Sequence, residues 1–264
     1  MRKNGFFSLL YHSLFILFIV APLVVVVAVS FTDKGYISLP TDGLSLRWFR
    51  AILGAGDIMN ALWVSLWLGL ASATVAVMLA VPGALALTRY QFPGRGALMG
   101  FFLSPLMIPH VVLGVAFLRF FTTAGVTGSF FWLAMTHVVV ILPYALRLTL
   151  SAATGLDRDA ERAALSLGAS RFTAFRRVVL PLILPGVTGG WLLAFIQSFD
   201  ELTMTLFVAT PGTTTLPVAM YNQIAQSIDP LVASVSTVLI IGTLVVMVVL
   251  DRIVGLDRVL IGKG

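Results

Sequence analysis

Cysteine is absent from this 264-residue chain, which excludes disulfides, thiolate metal sites and cysteine nucleophiles. Charge is scarce too: Asp, Glu, Lys and Arg together make up 11% of the residues, and Lys3, Lys34 and Lys263 are the only lysines. No Gly-x-x-x-x-Gly-Lys-Ser/Thr phosphate loop occurs, so energy from ATP has to come from another polypeptide. The histidines are His12, His110 and His137, widely separated and without a His-Glu-x-x-His run. That disfavours an intramembrane metalloenzyme, and no metal ligands are expected. No repeat, low-complexity tract or long linker divides the sequence, which reads as a single domain over 1–264.

What the chain has is apolar length. It is 59% hydrophobic, with a mean hydropathy of +1.02, far from an ordinary soluble domain of this size. A membrane-spanning helix needs about 20 apolar residues, and six runs qualify: 6–30, 59–87, 98–121, 129–150, 185–209 and 231–250. Stretches such as Leu23 to Val29 are continuously apolar, unlike the strict alternation of a membrane β-barrel. The expected fold is an all-α, polytopic membrane protein with six transmembrane helices. The net charge of +6 does not point to nucleic acid, because its distribution follows the positive-inside rule. With a cytoplasmic amino terminus, 13 of the 17 basic residues fall at inside ends and only Lys34, Arg47, Arg50 and Arg119 outside. Both termini are therefore expected in the cytoplasm. The apolar run after Arg2-Lys3 exceeds the 7–15 residues of a signal-peptide core, and it reads as an uncleaved first helix.

The polar stretch 31–57 becomes a periplasmic loop, with Trp48-Phe49 either on a short interfacial helix near 45–53 or in an ordered loop. In the third run, Ser104-Pro-Leu-Met-Ile-Pro109-His110 places two prolines four residues apart, which predicts a kinked or broken helix. Such a break serves either packing or a translocation pathway. His110 is expected to hydrogen-bond within the bundle.

Segment 151–184 is the longest inside loop and the most informative. Asp157, Asp159 and Glu161 load the first turn of a helix, where the macrodipole favours acids. Ala160, Ala163, Ala164 and Leu167 form a small apolar face, and Gly168 closes the helix with an expected positive φ. The arginines Arg171, Arg176 and Arg177 follow as lipid-headgroup anchors or partner contacts, before Leu180-Pro181 and Leu184-Pro185, which are expected to break the chain. Glu161, Arg162, Ala163, Ala164, Gly168 and Pro181, with Val178 and Leu180, resemble the "EAA" coupling loop of binding-protein-dependent ATP-driven importers. Arg162 departs from that pattern, standing where the family has Glu, with Glu161 one residue earlier.

Phe199-Asp200-Glu201 puts two acids in an otherwise apolar run. A carboxylate at membrane depth costs about 2.5–3.5 kcal/mol unless it meets a cavity or a cation. Trp191, Phe195 and Phe199 recur at helical spacing before it, a combination suited to an organic ammonium ion. The other reading places the acids at a helix end, solvated or paired with Arg119, and the aromatic stripe in core or lipid packing. The runs Gly190 to Glu201, Phe207 to Gly212, Leu216 to Tyr221 and Ile228 to Pro230 resemble the second permease of spermidine/putrescine importers. Leu106 departs from that subfamily, standing where an acid is expected.

The resemblance implies a type I importer permease fold without catalysis, in the bacterial inner membrane. It implies a second homologous permease, two ATP-binding subunits that carry ATP and Mg, a periplasmic solute-binding protein and membrane lipid as partners, with helices 2 to 6 forming the pathway and the first helix wrapping a partner. The substrate pathway would include Asp200, Glu201, Trp191, Phe195 and Tyr144, and the cargo would be a polyamine or another small charged solute such as an amino acid derivative. An ion-coupled secondary transporter or a non-transporting scaffold are the alternatives from other classes.

Overall fold

The computed structural model describes residues 5–40, 43–227 and 229–254. Arg2, Lys3, Ile228, Arg258, Lys263 and both chain ends, on which part of the reading above rests, lie outside them. Every regular element among the described residues is helical. In chain order these are α1 (Phe6–Val29), α2 (Arg47–Gly54), α3 (Gly56–Arg89), α4 (Arg95–Leu103), α5 (His110–Ala124), α6 (Phe130–Thr154), α7 (Asp159–Ser166), α8 (Arg171–Ala174), α9 (Leu180–Phe199), α10 (Thr205–Val208), α11 (Leu216–Gln226) and α12 (Leu231–Val254). Among the described residues, five helices are long and apolar enough to cross a bilayer, and a sixth span results if one bent pair is counted as one.

The chain forms two compact units. One comprises residues 1–60 and 219–249. Within it, Ser234 Oγ on α12 donates to the Ser30 carbonyl at 3.3 Å, fixing α12 to the end of α1. The polar loop after α1 is ordered: Trp48 Nε1 donates to the Lys34 carbonyl, the Ser45 N–H to the Phe31 carbonyl, and Phe31 packs on Phe49. Of the two readings for Trp48-Phe49, the short helix is the one observed, since α2 occupies Arg47–Gly54.

The other unit comprises residues 61–218 and 250–264. Its centre is the pair α6 and α9. Gly186, Gly190 and Ala194, one turn apart, bring the two backbones together: a Cβ on Gly190 would lie 3.0 Å from the Ala145 carbonyl oxygen, and one on Gly186 2.4 Å from Ala152 Cβ. Small residues at such spacing are how helices associate where apolar burial supplies no drive. Ala73, Ala76, Ala80 and Ala84 of α3 join the same core.

Two expectations need correction, the unbroken run 185–209 and the breaks at Pro181 and Pro185, whereas the break expected in the run 98–121 is present: the segments Arg95–Leu106 and His110–Ala124 meet at 97°. Pro109 is extended (φ −55°, ψ 132°), and proline disfavours helical geometry at the residue before it. The run 185–209 is interrupted, α9 ending at Phe199 with Asp200 as its cap. Pro181 and Pro185, conversely, do not break the chain, because Arg171–Phe199 is continuously helical. A π turn at Phe175–Val179, in which the Leu180 N–H reaches the Phe175 carbonyl, widens the helix just before Pro181, which has no N–H to donate and crowds the preceding turn. Helices consequently reach into both ends of 151–184 and leave 155–170 as the segment between them.

Candidate functional site

The first site is α7 and the turn that follows it. The Asp157 carboxylate accepts the Asp159 N–H at 2.9 Å and starts the helix. Gly168 ends it with φ +89°, as expected. The Gly168 N–H returns to the Leu165 carbonyl and the Ala169 N–H to that of Ala164, a Schellman closure that requires the left-handed residue. Ser170 then caps the next helix by accepting the Thr173 N–H at 3.2 Å.

Two contacts fix α7 to the end of α3. Arg89 Nη1 donates to Glu161 Oε1 at 2.8 Å, and Nη2 lies 2.7 Å from Oε2. Arg158 Nη2 donates to the Thr88 carbonyl at 2.6 Å. Glu161 is therefore engaged inside the chain. Arg162 faces outward, 72% exposed and 3.6 Å from Asp159. Ala163 is exposed and Ala164 half-buried. Leu167 and Phe172 are 89% and 70% exposed, an apolar face left uncovered in a polar segment. Beside it, Ala164, Leu167, Gly168, Thr173, Arg177 and Val178 line a shallow groove of ≈390 Å³. Pro181 lies past the π turn, at the start of α9.

The second site lies where α9 stops. Asp200 is exposed, whereas the Glu201 side chain turns inward and is 7% exposed. Its Oε1 accepts the Met204 N–H at 2.6 Å, a local bond that replaces helix continuation. Its Oε2 accepts from His110 Nδ1 at 2.7 Å. The partner is His110, not Arg119. His137, fully buried on α6, brackets the same segment: Nδ1 is 2.9 Å from Ser198 Oγ and Nε2 3.0 Å from Thr205 Oγ1. A neutral imidazole offers one donor and one acceptor, and two hydroxyls match either tautomer.

Trp191 and Phe195 stack on each other at 5.7 Å and 7°, and Phe199 continues the stripe at 5.9 Å. The stack leans on α3, where Trp191 Nε1 donates to Thr74 Oγ1 at 3.1 Å and a Cβ on Gly69 would touch the Phe195 ring at 2.9 Å. It is a one-sided aromatic wall rather than a box. Tyr144 is half-buried on α6, two turns from His137. Sequence reasoning missed the His137 bracket and the Arg89 and Arg158 ties, which are long-range pairings with no local signal. It also passed over Gly186-x-x-x-Gly190-x-x-x-Ala194, a pattern that was readable.

Residues 74–256 match the family described as "Binding-protein-dependent transport system inner membrane component". The chain belongs to that family and is the permease subunit of an ABC importer. It is 29% identical over 256 residues to the spermidine/putrescine transport system permease protein PotC of Escherichia coli (strain K12), covering 97% of this chain and 94% of that protein. It is 31% identical to the putrescine transport system permease protein PotI of the same strain over 84% of this chain and 82% of that one. It is 32% identical to a putative 2-aminoethylphosphonate transport system permease protein, PhnV, of Salmonella typhimurium, covering 91% of each. Among solved structures, a bacterial ABC transporter that imports the acidic polysaccharide alginate superimposes with a TM-score of 0.78 at 16% identity, over 96% of this chain and 98% of that one. The fold is thus the all-α type I importer permease fold, and its apolar helices are those of a membrane protein.

Proposed function

We propose that this chain is one of two transmembrane subunits of an ATP-driven importer that carries a small solute with an aliphatic ammonium group, a polyamine such as putrescine or spermidine, across the bacterial inner membrane. The buried Glu201 carboxylate at the interruption of a spanning helix carries the cationic part of this reading. An ammonium group gives such a carboxylate the cation that membrane depth otherwise withholds. The relatives support the same chemistry, since putrescine, spermidine and 2-aminoethylphosphonate all bear a primary ammonium. PhnV favours a second reading in which the cargo also carries an acidic group.

ATP and Mg reside on two ATP-binding subunits, a homologous permease completes the pathway, and a periplasmic binding protein delivers the solute. No bond is made or broken on this chain. Closure of the ATPase pair moves α7 through the uncovered Leu167 at its end and Phe172 on the adjoining α8. Arg89, Glu161, Arg158 and Thr88 pass that movement to α3. α3 bears on Trp191 and Phe195, so α9 and the Glu201 segment at its end move with it, and access alternates between the two sides.

The test is uptake of labelled putrescine into proteoliposomes holding the assembled complex, with spermidine and 2-aminoethylphosphonate as competitors. ATP-dependent uptake that these compounds inhibit supports the reading. Uptake insensitive to every ammonium compound, or none at all, refutes the cargo assignment.

A further inference from the structure

His110 is the first residue of α5, directly after the 97° bend across residues 107–109. Its imidazole reaches Glu201, 91 residues away in sequence. One turn along α5, Gly114 lets the helix lie on the segment after Glu201: a Cβ there would meet the Phe207 ring at 2.7 Å and the Met204 carbonyl oxygen at 3.1 Å. The beginning of α5 is thus held by close backbone packing at Gly114 and by one polar contact at His110. On the carboxylate side, Oε1 is engaged within its own loop by the Met204 N–H. Among the described residues, the His110 N–H is then the only partner that Glu201 can exchange without unmaking its loop. An alkylammonium offers the same N–H donor and adds a full positive charge opposite the carboxylate, so the exchange gains the attraction of an ion pair.

We propose that His110 is a built-in stand-in for the cargo. An ammonium-bearing solute displaces the imidazole from Glu201, and the freed histidine releases the start of α5 to swing at the bend. His110 is in this sense a specificity-determining residue, and the inference rests on the cargo being an ammonium compound. A neutral solute adds no charge opposite the carboxylate and a purely anionic one is repelled by it, so neither gains enough to displace the imidazole and the contact stays closed. Opening is tied to occupancy, which holds back ATP turnover when no cargo is present.

The experiment uses the assembled complex in proteoliposomes with putrescine as the probe. It compares wild type with His110→Ala, His110→Gln and Glu201→Gln, reading the KM for uptake and ATP hydrolysis without putrescine. Losing one competing hydrogen bond in His110→Ala lowers KM by about fivefold and raises cargo-free hydrolysis by about as much. His110→Gln keeps an N–H donor and stays within about twofold of wild type. Glu201→Gln raises KM by about tenfold, the size of a lost charge-assisted bond. If His110→Ala does not assemble, the larger His110→Leu provides the same two readouts. An assembled variant lacking the imidazole that leaves both quantities unchanged, in a complex that moves putrescine, overturns the stand-in and spares the cargo reading. A complex that moves no putrescine while that variant still raises cargo-free hydrolysis overturns the cargo reading and keeps the contact as the brake.

Discussion

Replacing Glu161 with glutamine leaves the Arg89 guanidinium at the end of α3 without its counter-charge. Both side chains are about one-fifth exposed, at 21% and 19%, so the contact is screened more than a core pair and less than a surface one. Two unit charges about 4 Å apart at an effective dielectric of about 20 attract by about 4 kcal/mol. Desolvation and residual water reduce this, and contacting pairs in double-mutant cycles couple by about 0.5–3 kcal/mol. A working value of about 2 kcal/mol corresponds to about 30-fold in the equilibrium between docked and undocked α7. The Arg158 bond to the Thr88 carbonyl survives the change, so α7 stays tethered at one point and transport is weakened rather than abolished. The assay is solute moved per ATP hydrolysed in proteoliposomes. Glu161→Gln and Arg89→Gln should each lower that ratio several-fold while hydrolysis continues, and the exchange Arg89→Glu with Glu161→Arg should recover much of it. Single variants that assemble fully and keep the wild-type ratio would refute the idea that α7 drives α3 through this pair.

Gly186→Val places a side chain where a Cβ alone meets Ala152 Cβ at 2.4 Å and the Leu148 carbonyl oxygen at 2.9 Å. Overpacking of about 1–3 kcal/mol should lower the thermal unfolding temperature in detergent, whereas valine at Gly96, where a Cβ meets nothing within 4 Å, should cost far less. His137→Ala strands the buried Ser198 and Thr205 hydroxyls, at about 1–3 kcal/mol for each group left unsatisfied. It should reduce thermal stability, and a bound ammonium cargo should restore only part of it. Leu167→Asp, at a position 89% exposed, should leave the thermal unfolding of this chain unchanged and reduce co-purification of the ATP-binding subunit.

The spanning helices were legible because apolar length is a local property, and the proline pair at 105 and 109 announced its own break. Gly168 was legible for the same reason: the left-handed turn and its two closing bonds involve only residues 164–169. Pro181 misled because proline is read as a helix breaker, while the π turn at Phe175–Val179 that accommodates it has Phe175 and Val179 in one core cluster with Ala153 and Ile183. The acids at 200 and 201 were conspicuous as a pair, yet they separate: Asp200 faces out and Glu201 inward. Which of two adjacent carboxylates turns inward is decided by where His110 and the Met204 N–H stand. No spacing within a single sequence encodes a partner 91 residues away.

The polar contacts of the second unit cluster where helices stop. Thr88 and Arg89 end α3 beside α7, and His110, Ser198, Glu201 and Thr205 surround the two interruptions at 107–109 and 200–204. In a bilayer, backbone groups freed by an interruption need partners inside the protein, so the same residues that make a break tolerable also fix its geometry. Between the two clusters the helices are in close contact: Thr74 bonds to Trp191, Ser72 to the Ala134 carbonyl, Gly69 meets Phe195, and Gly186 and Gly190 meet α6. Backbones packed that closely shift as bodies rather than flexing. On the proposed mechanism, a displacement received at α7 would be carried along α3 and α9 and taken up where the helices are already broken, at the His110 and Glu201 contact.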